Sequence, residues 1–345
     1  MSSAKQVISN AFESSALERL TSLLSQNGIK DRDVVALTPD ASTRNYFRVG
    51  WKKGSAVAAV YPEPFDPEFH PYLDVTNLFL KCEIPVPEIY AVDGTAGVIV
   101  QEDLGDERLF QIFENEPEER CDEYKQQAIS LIARIQKASE TAREVNSISS
   151  RLAFDEAKLS WELDFFFEHY FGSLRKESFS HPETAELKAE LNDIAAELAA
   201  VPRVLCHRDY HGANLMVDSK SRLRVLDHQD ARMGPASYDL VSFLLDRQPN
   251  PPSLAELRDH RLFFLEERLK LGLDVLDPDD FATEFRLMAI QRGLKATGTF
   301  SYQTAVCGRG AFYESFITPT LQIVLQSAIW LDRFPALQRI LKARI

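Results

Sequence analysis

The chain has 345 residues, 45% hydrophobic and 26% charged, with a formal net charge of −13. Its length and apolar content allow one large core or two of unequal size, and its acidity disfavours a sequence-independent grip on nucleic acid phosphates. Cys82, Cys121, Cys206 and Cys307 lack CxxC or Cys/His ligand spacing, no apolar run would span a membrane and MSSAKQVISNAFESS has no secretory pattern, so reduced thiols in a cytoplasmic protein are expected.

Ser15-Ala16-Leu17-Glu18 reads as a capping box that opens a helix running to Asn27-Gly28. Residues 33 to 62 alternate in polarity, which predicts three antiparallel strands at DVVAL, NYFRVGW and SAVAAVYP, the last two joined at Lys52-Lys53-Gly54. The spacing predicts a helix over Pro71 to Lys81, then two more strands in IPVPEIYAV and GVIVQEDLG. From residue 106 the period becomes helical: Asp122 to Glu144, Phe154 to Phe171 and Pro182 to Ala200 precede a hairpin. Tyr238 to Asp246, Leu254 to Leu271, Asp279 to Thr299 and Tyr313 to Ile329 follow it.

This order predicts an α+β, protein-kinase-like two-lobe fold. Residues 1–103 form a small β-rich N-terminal lobe, a nucleotide-covering sheet with helices. Residues 104–345 form a larger helical lobe holding a catalytic hairpin and an acceptor site. The joint is Gln101-Glu102-Asp103-Leu104-Gly105.

The densest chemistry lies in residues 203 to 230, RVLCHRDYHGANLMVDSKSRLRVLDHQD. Asp209 and Asn214 sit five apart, and Asp227 follows thirteen residues later. LMV and RLRVL are the arms of a hairpin whose turn is Asp218-Ser219-Lys220-Ser221. The pattern suits phosphoryl transfer from a nucleotide held by magnesium. Asp209 orients the acceptor hydroxyl and takes its proton, while the Asn214 oxygen and the Asp227 carboxylate are hard metal ligands.

Around these, His207 is expected to pack under the loop and bond a backbone carbonyl. Arg208 either pairs with a carboxylate, steadies the loop or reaches a phosphate. His211 and His228 face the same region. Gln229 and Asp230 either meet an acceptor hydroxyl or close the turn. Asp239 opens a helix and is expected to bond back to the catalytic loop, and Cys206 reads as a small buried hydrophobe.

The nucleotide side is less explicit, since neither GxGxxG nor GxxxxGK[ST] is present. Pro39 to Tyr46 is the candidate phosphate-covering turn, through Ser42, Thr43, Arg44 and backbone amides; an ordinary hairpin loop is the other reading. No DFG or APE brackets an activation segment, which argues against a protein kinase.

HRDYHGAN and LDHQD resemble the catalytic loop and metal-binding segment of the aminoglycoside phosphotransferase and choline kinase superfamily. A finer resemblance is to bacterial anomeric N-acetylmuramate/N-acetylglucosamine kinases. It is carried by Asp40-Ala41-Ser42-Thr43-Arg44-Asn45-Tyr46-Phe47-Arg48, Gln101 to Gly105, Gln229-Asp230 with Gly234-Pro235 and Tyr238-Asp239, and Gln291 to Gly298. The resemblance implies ATP- and Mg2+-dependent phosphorylation of a small-molecule hydroxyl, an amino sugar and its anomeric position leading, in cell-wall recycling.

It further implies Asp209 as base, Asn214 and Asp227 as magnesium ligands, and the backbone at Gln101, Glu102 and Asp103 against adenine. The strand SAVAAVYPEP has no lysine where the wider superfamily carries one, so the phosphates would meet Arg44 or Arg48. An aminoglycoside or choline-type kinase is the alternative acceptor reading, and a nucleotide-binding pseudokinase the alternative class. The sequence leaves the oligomeric state open.

Overall fold

A computed structural model describes residues 15–29, 34–37, 44–52, 54–247 and 252–345. Its contacts divide the chain into two compact units. One comprises residues 1–107 and 216–229, the other 108–215 and 230–345.

In the smaller unit, helix α1 covers residues 15–26, with Ser15 already helical. Gly28 ends it at φ +73°, a conformation that suits a residue without Cβ. Strands β1 (Val35–Leu37), β2 (Asn45–Trp51) and β3 (Gly54–Val60) pair antiparallel, as the alternation predicts. Helix α2 (Pro71–Lys81) occupies the predicted span, with Pro71 in its first turn where a missing N–H costs nothing. Strands β4 (Ile89–Asp93) and β5 (Val98–Glu102) complete a five-stranded sheet ordered β1-β2-β3-β5-β4.

Period-two alternation explains how the sheet is buried. Phe47, Val49, Trp51, Ala56, Ala58, Val60, Val98 and Val100 pack on Leu20, Leu23 and Leu24 of α1. Tyr72 and Leu73 of α2 join Ile99 in a second cluster.

The larger unit begins with α3 (Leu109–Asn115), α4 (Glu118–Lys137), α5 (Ser139–Glu144) and α6 (Ile148–Arg151). The single helix expected over Asp122 to Glu144 is therefore broken at Ala138. Helix α7 (Glu156–Phe166) is capped by Asp155, whose Oδ1 accepts from Lys158 N at 2.8 Å, and runs on as a π-helical segment, Phe167–Arg175. Helix α8 (His181–Ala200) opens on a capping box of Ser180 and Glu183.

Strand β6 (Val204–Cys206) leads into the Asp209 loop. The chain then returns to the smaller unit at Met216, within the hairpin of β7 (Leu215–Val217) and β8 (Leu223–Val225). Its turn is closed by Asp218, whose Oδ1 accepts from the N–H groups of Lys220 and Arg222. Back in the larger unit, β9 (Arg232–Gly234) pairs antiparallel with β6.

Among the described residues, six α-helices follow: α9 (Tyr238–Leu245), α10 (Leu254–Lys270), α11 (Pro278–Ala305), α12 (Gly310–Tyr313), α13 (Ile317–Leu331) and α14 (Pro335–Lys342). The helix expected from Tyr313 starts at Ile317, after a 3₁₀ turn over Glu314–Phe316. Helix α11 is apolar on several sides because α7, α9 and α13 all pack on it. Gly298 lets the α7 backbone approach: a Cβ there would stand 2.8 Å from Phe166 Cα and 2.9 Å from its N. No helix among the described residues is long and apolar enough to cross a membrane.

Candidate active site

In the larger unit, β6 delivers the chain to residues 207–214, and Asp239 in the first turn of α9 holds them. Asp239 is fully buried; its Oδ2 accepts from His207 N at 2.6 Å and its Oδ1 from Arg208 N at 3.0 Å. These are the bonds expected of it. They stabilise a bend in which Arg208 takes φ +87°, a strained value for a residue with a side chain. Burial raises the Asp239 pKa, opposed by His207 and by the backbone donors.

Arg292 of α11, also buried, donates to the Arg208 carbonyl at 2.8 Å and pairs with Asp246. Its guanidinium lies 4.4 Å from the Tyr238 ring centroid. The His207 ring is buried edge-on to Tyr210, whose hydroxyl donates to the Ala128 carbonyl of α4 at 2.9 Å. Cys206 is buried, as its surroundings in the sequence suggest, and burial raises its thiol pKa.

Asp209 follows this clamped pair of residues. Lys295 Nζ lies 3.6 Å from Asp209 Oδ1, and Arg208 Nε 3.8 Å from Oδ2. Burial would raise the pKa of this carboxyl, yet Lys295, then Arg208 and Arg292, hold it well below the usual carboxylate range. Asn214 Nδ2 donates to the Asp209 carbonyl at 2.9 Å. With the nitrogen so engaged, the amide oxygen is the atom a hard cation would use. Burial lowers the pKa of His211 to about 4, so its imidazole is neutral at pH 7.

Asp227 belongs to the smaller unit, at φ +62° after β8. Gln229 Nε2 donates to its Oδ1 at 2.8 Å, which closes the turn. Asp230, in the larger unit, pairs instead with Arg208 at 2.8 Å and Arg232 at 3.6 Å. His228 is buried against Tyr72 and Phe79, with Nε2 2.7 Å from Thr76 Oγ1. That hydroxyl already donates to the Tyr72 carbonyl, so Nε2 carries the proton.

Arg44 lies over the Tyr61 ring, 5.1 Å from its centroid, and Nη1 contacts Tyr46 Oη at 3.1 Å. Burial would lower its pKa, but Tyr46, Tyr61 and Asp227 raise it. Ser42 and Thr43 lie outside the described residues. Arg48 braces the joint, with Nε 2.8 Å from Asp103 and Nη2 2.8 Å from Asp106.

The other joint side chains also bond internally. Tyr72 Oη donates to Gln101 Oε1 at 2.6 Å, and Arg224 Nη1 to Glu102 Oε1 at 2.9 Å. Sequence reasoning assigned no role to Lys295, Arg292 or Arg224. A local signal was absent, because each acts on a partner remote in the chain.

Residues 33–271 match the family model described as the phosphotransferase enzyme family. The chain belongs to this family. Among its relatives is an N-acetylmuramate/N-acetylglucosamine kinase of Neisseria meningitidis serogroup B, 30% identical over 79% of each chain. A protein of the same name from Pseudomonas aeruginosa is 29% identical over 78% of this chain and 76% of its own. Among solved structures, an amicoumacin kinase in complex with AMP-PNP and Ca2+ superposes with a TM-score of 0.59 at 13% identity, covering 89% of this chain and 93% of that one. The fold is thus the α+β, protein-kinase-like arrangement of this phosphotransferase family, and the chain is a kinase.

Proposed function

We propose that this phosphotransferase uses ATP and Mg2+ to phosphorylate a hydroxyl of an amino sugar, with the anomeric position as the leading acceptor. The observation that carries the reading is Asp209: a carboxylate kept ionised by Lys295 on a loop clamped by Asp239 and Arg292. The names of its sequence relatives support the acceptor class.

Asp209 would orient the acceptor hydroxyl and receive its proton as the new bond forms, which a low pKa permits when transfer is advanced. Asn214 and Asp227 supply an amide oxygen and a carboxylate, a donor set that fits magnesium. When bound, the ion would neutralise phosphate charge. Arg44, held by Tyr61 and Tyr46, is the favoured phosphate cation of this chain, since Arg48 is committed to Asp103 and Asp106. The joint side chains are engaged inwardly, which suits recognition of adenine by the backbone near Gln101 to Asp103.

The test is a coupled ADP-release assay across amino sugars, aminoglycosides and choline. Magnesium-dependent turnover is expected with an amino sugar. Asp209→Asn should lower kcat by about a hundredfold or more while circular dichroism stays unchanged. ADP release confined to choline or an aminoglycoside would move the acceptor assignment; nucleotide-induced thermal stabilisation without any transfer would make the chain a pseudokinase.

A further inference from the structure

Charged groups extend away from Asp209 through the larger unit. Arg208 contacts Asp209 at 3.8 Å and Asp230 at 2.8 Å, and Arg232 lies 3.6 Å from Asp230 on the other side. The β6–β9 pairing and the bond from Phe154 N to Met233 O, 2.8 Å, seat Arg232 beside the start of α7. Its guanidinium lies 5.3 Å from the Phe154 ring centroid.

One turn into α7, Lys158 Nζ stands 3.6 Å from Glu162 and 4.0 Å from the Trp161 centroid. Glu162 is buried and its Oε2 accepts from Gln291 Nε2 at 2.9 Å. Its Oε1 accepts no hydrogen bond. Glu162, held by Gln291, thus lies behind Lys158 and anchors it from within.

Lys158, Arg208, Arg232 and Lys295 thus share Glu162, Asp230 and Asp209, four cations to three carboxylates, leaving one positive charge in excess. Burial lowers the Lys158 pKa; Glu162 opposes this, and Arg208 and Arg232 add to it. Burial, then Arg208, lowers that of Arg232. Cations that repel one another at a partly exposed surface are stabilised by an added anion. The Lys158 side chain is 25% exposed and that of Arg232 12%, beside a Trp161 that is 56% exposed.

We propose that Lys158 and Arg232 form an anion subsite for a carboxylate carried by the acceptor, away from the hydroxyl that meets Asp209. This rests on the amino-sugar kinase reading and narrows it to sugars bearing an acidic substituent. Lys158 and Arg232 are specificity residues, and Glu162 with Gln291 positions Lys158.

N-acetylmuramate and N-acetylglucosamine differ by one carboxylate-bearing ether, and so form the test pair. With the full chain, KM is expected to be lower for N-acetylmuramate, and added salt should erode that advantage. Lys158→Gln and Arg232→Gln should each reduce kcat/KM for N-acetylmuramate at least tenfold more than for N-acetylglucosamine, mainly through KM. Lys158→Arg should restore the preference, which separates charge from loss of fold.

Equal losses with both sugars, or a wild-type preference insensitive to salt, would overturn the proposal. A rise in the KM for ATP in place of the sugar would overturn it too, reassigning the cations to phosphate. Absence of ADP release with either sugar overturns the amino-sugar reading and this subsite with it.

Discussion

The Asp209 carboxylate is ionised because Lys295 and Arg208 together outweigh its burial. A depressed carboxylate pKa contributes stability that is present above the unfolded value, about 3.9, and is lost as pH falls towards the folded one. The wild-type kcat/KM profile should therefore show no limb from Asp209 between about pH 5 and 8. In Lys295→Met burial acts with less opposition, the pKa rises, and an acidic limb should move up towards that window; a profile indistinguishable from wild type would remove Lys295 from this role. The Asp209, Asn214 and Asp227 pattern was legible because its spacing is local. Lys295 and Arg292 were not, for α11 meets the loop only through folding: the Arg292 bond to the Arg208 carbonyl spans 84 residues.

Elements were legible where one face alternates or recurs over several turns. Helix α2 and strands β2 and β3 fall where polarity placed them, because each buries one side and, except at the buried Ala59 of β3, exposes or half-exposes the other. Strands β6 and β9 were missed, since three residues each carry no measurable period and their pairing joins distant segments. Helix α11 shows what a burial pattern hides. Gly298 has no turn to make; it lies mid-helix because the Phe166 backbone occupies the space of a side chain. Gly298→Ala should gain helix propensity but force α7 and α11 apart, a net loss of roughly 1–3 kcal/mol in denaturant unfolding. Stabilisation instead would show that the contact yields.

For the molecule as a whole, the informative feature is that residues 216–229 belong with the N-terminal unit. Arg224, 7% exposed, ties this returning hairpin to Glu102 at 2.9 Å and to the Val86 carbonyl at 2.9 Å, and Asp218 lies 3.4 Å away. Removing one partner of a buried pair is costly, so Arg224→Met should destabilise this unit by roughly 3–5 kcal/mol. Hydrogen exchange should then quicken in Val98–Glu102 and Leu223–Val225 while α11 keeps its protection; uniform loss would mean the two units unfold together. Composition could not signal this return, since strands as short as LMV and LRV carry no mark of the unit they pack in. One consequence reaches the bench. A fragment cut after Glu107 would lack His228 against Tyr72 and Arg224 against Glu102, so the residues before that cut do not carry all the packing of their own unit. Anyone dissecting the enzyme must splice the later hairpin onto it, or supply that hairpin as a separate peptide.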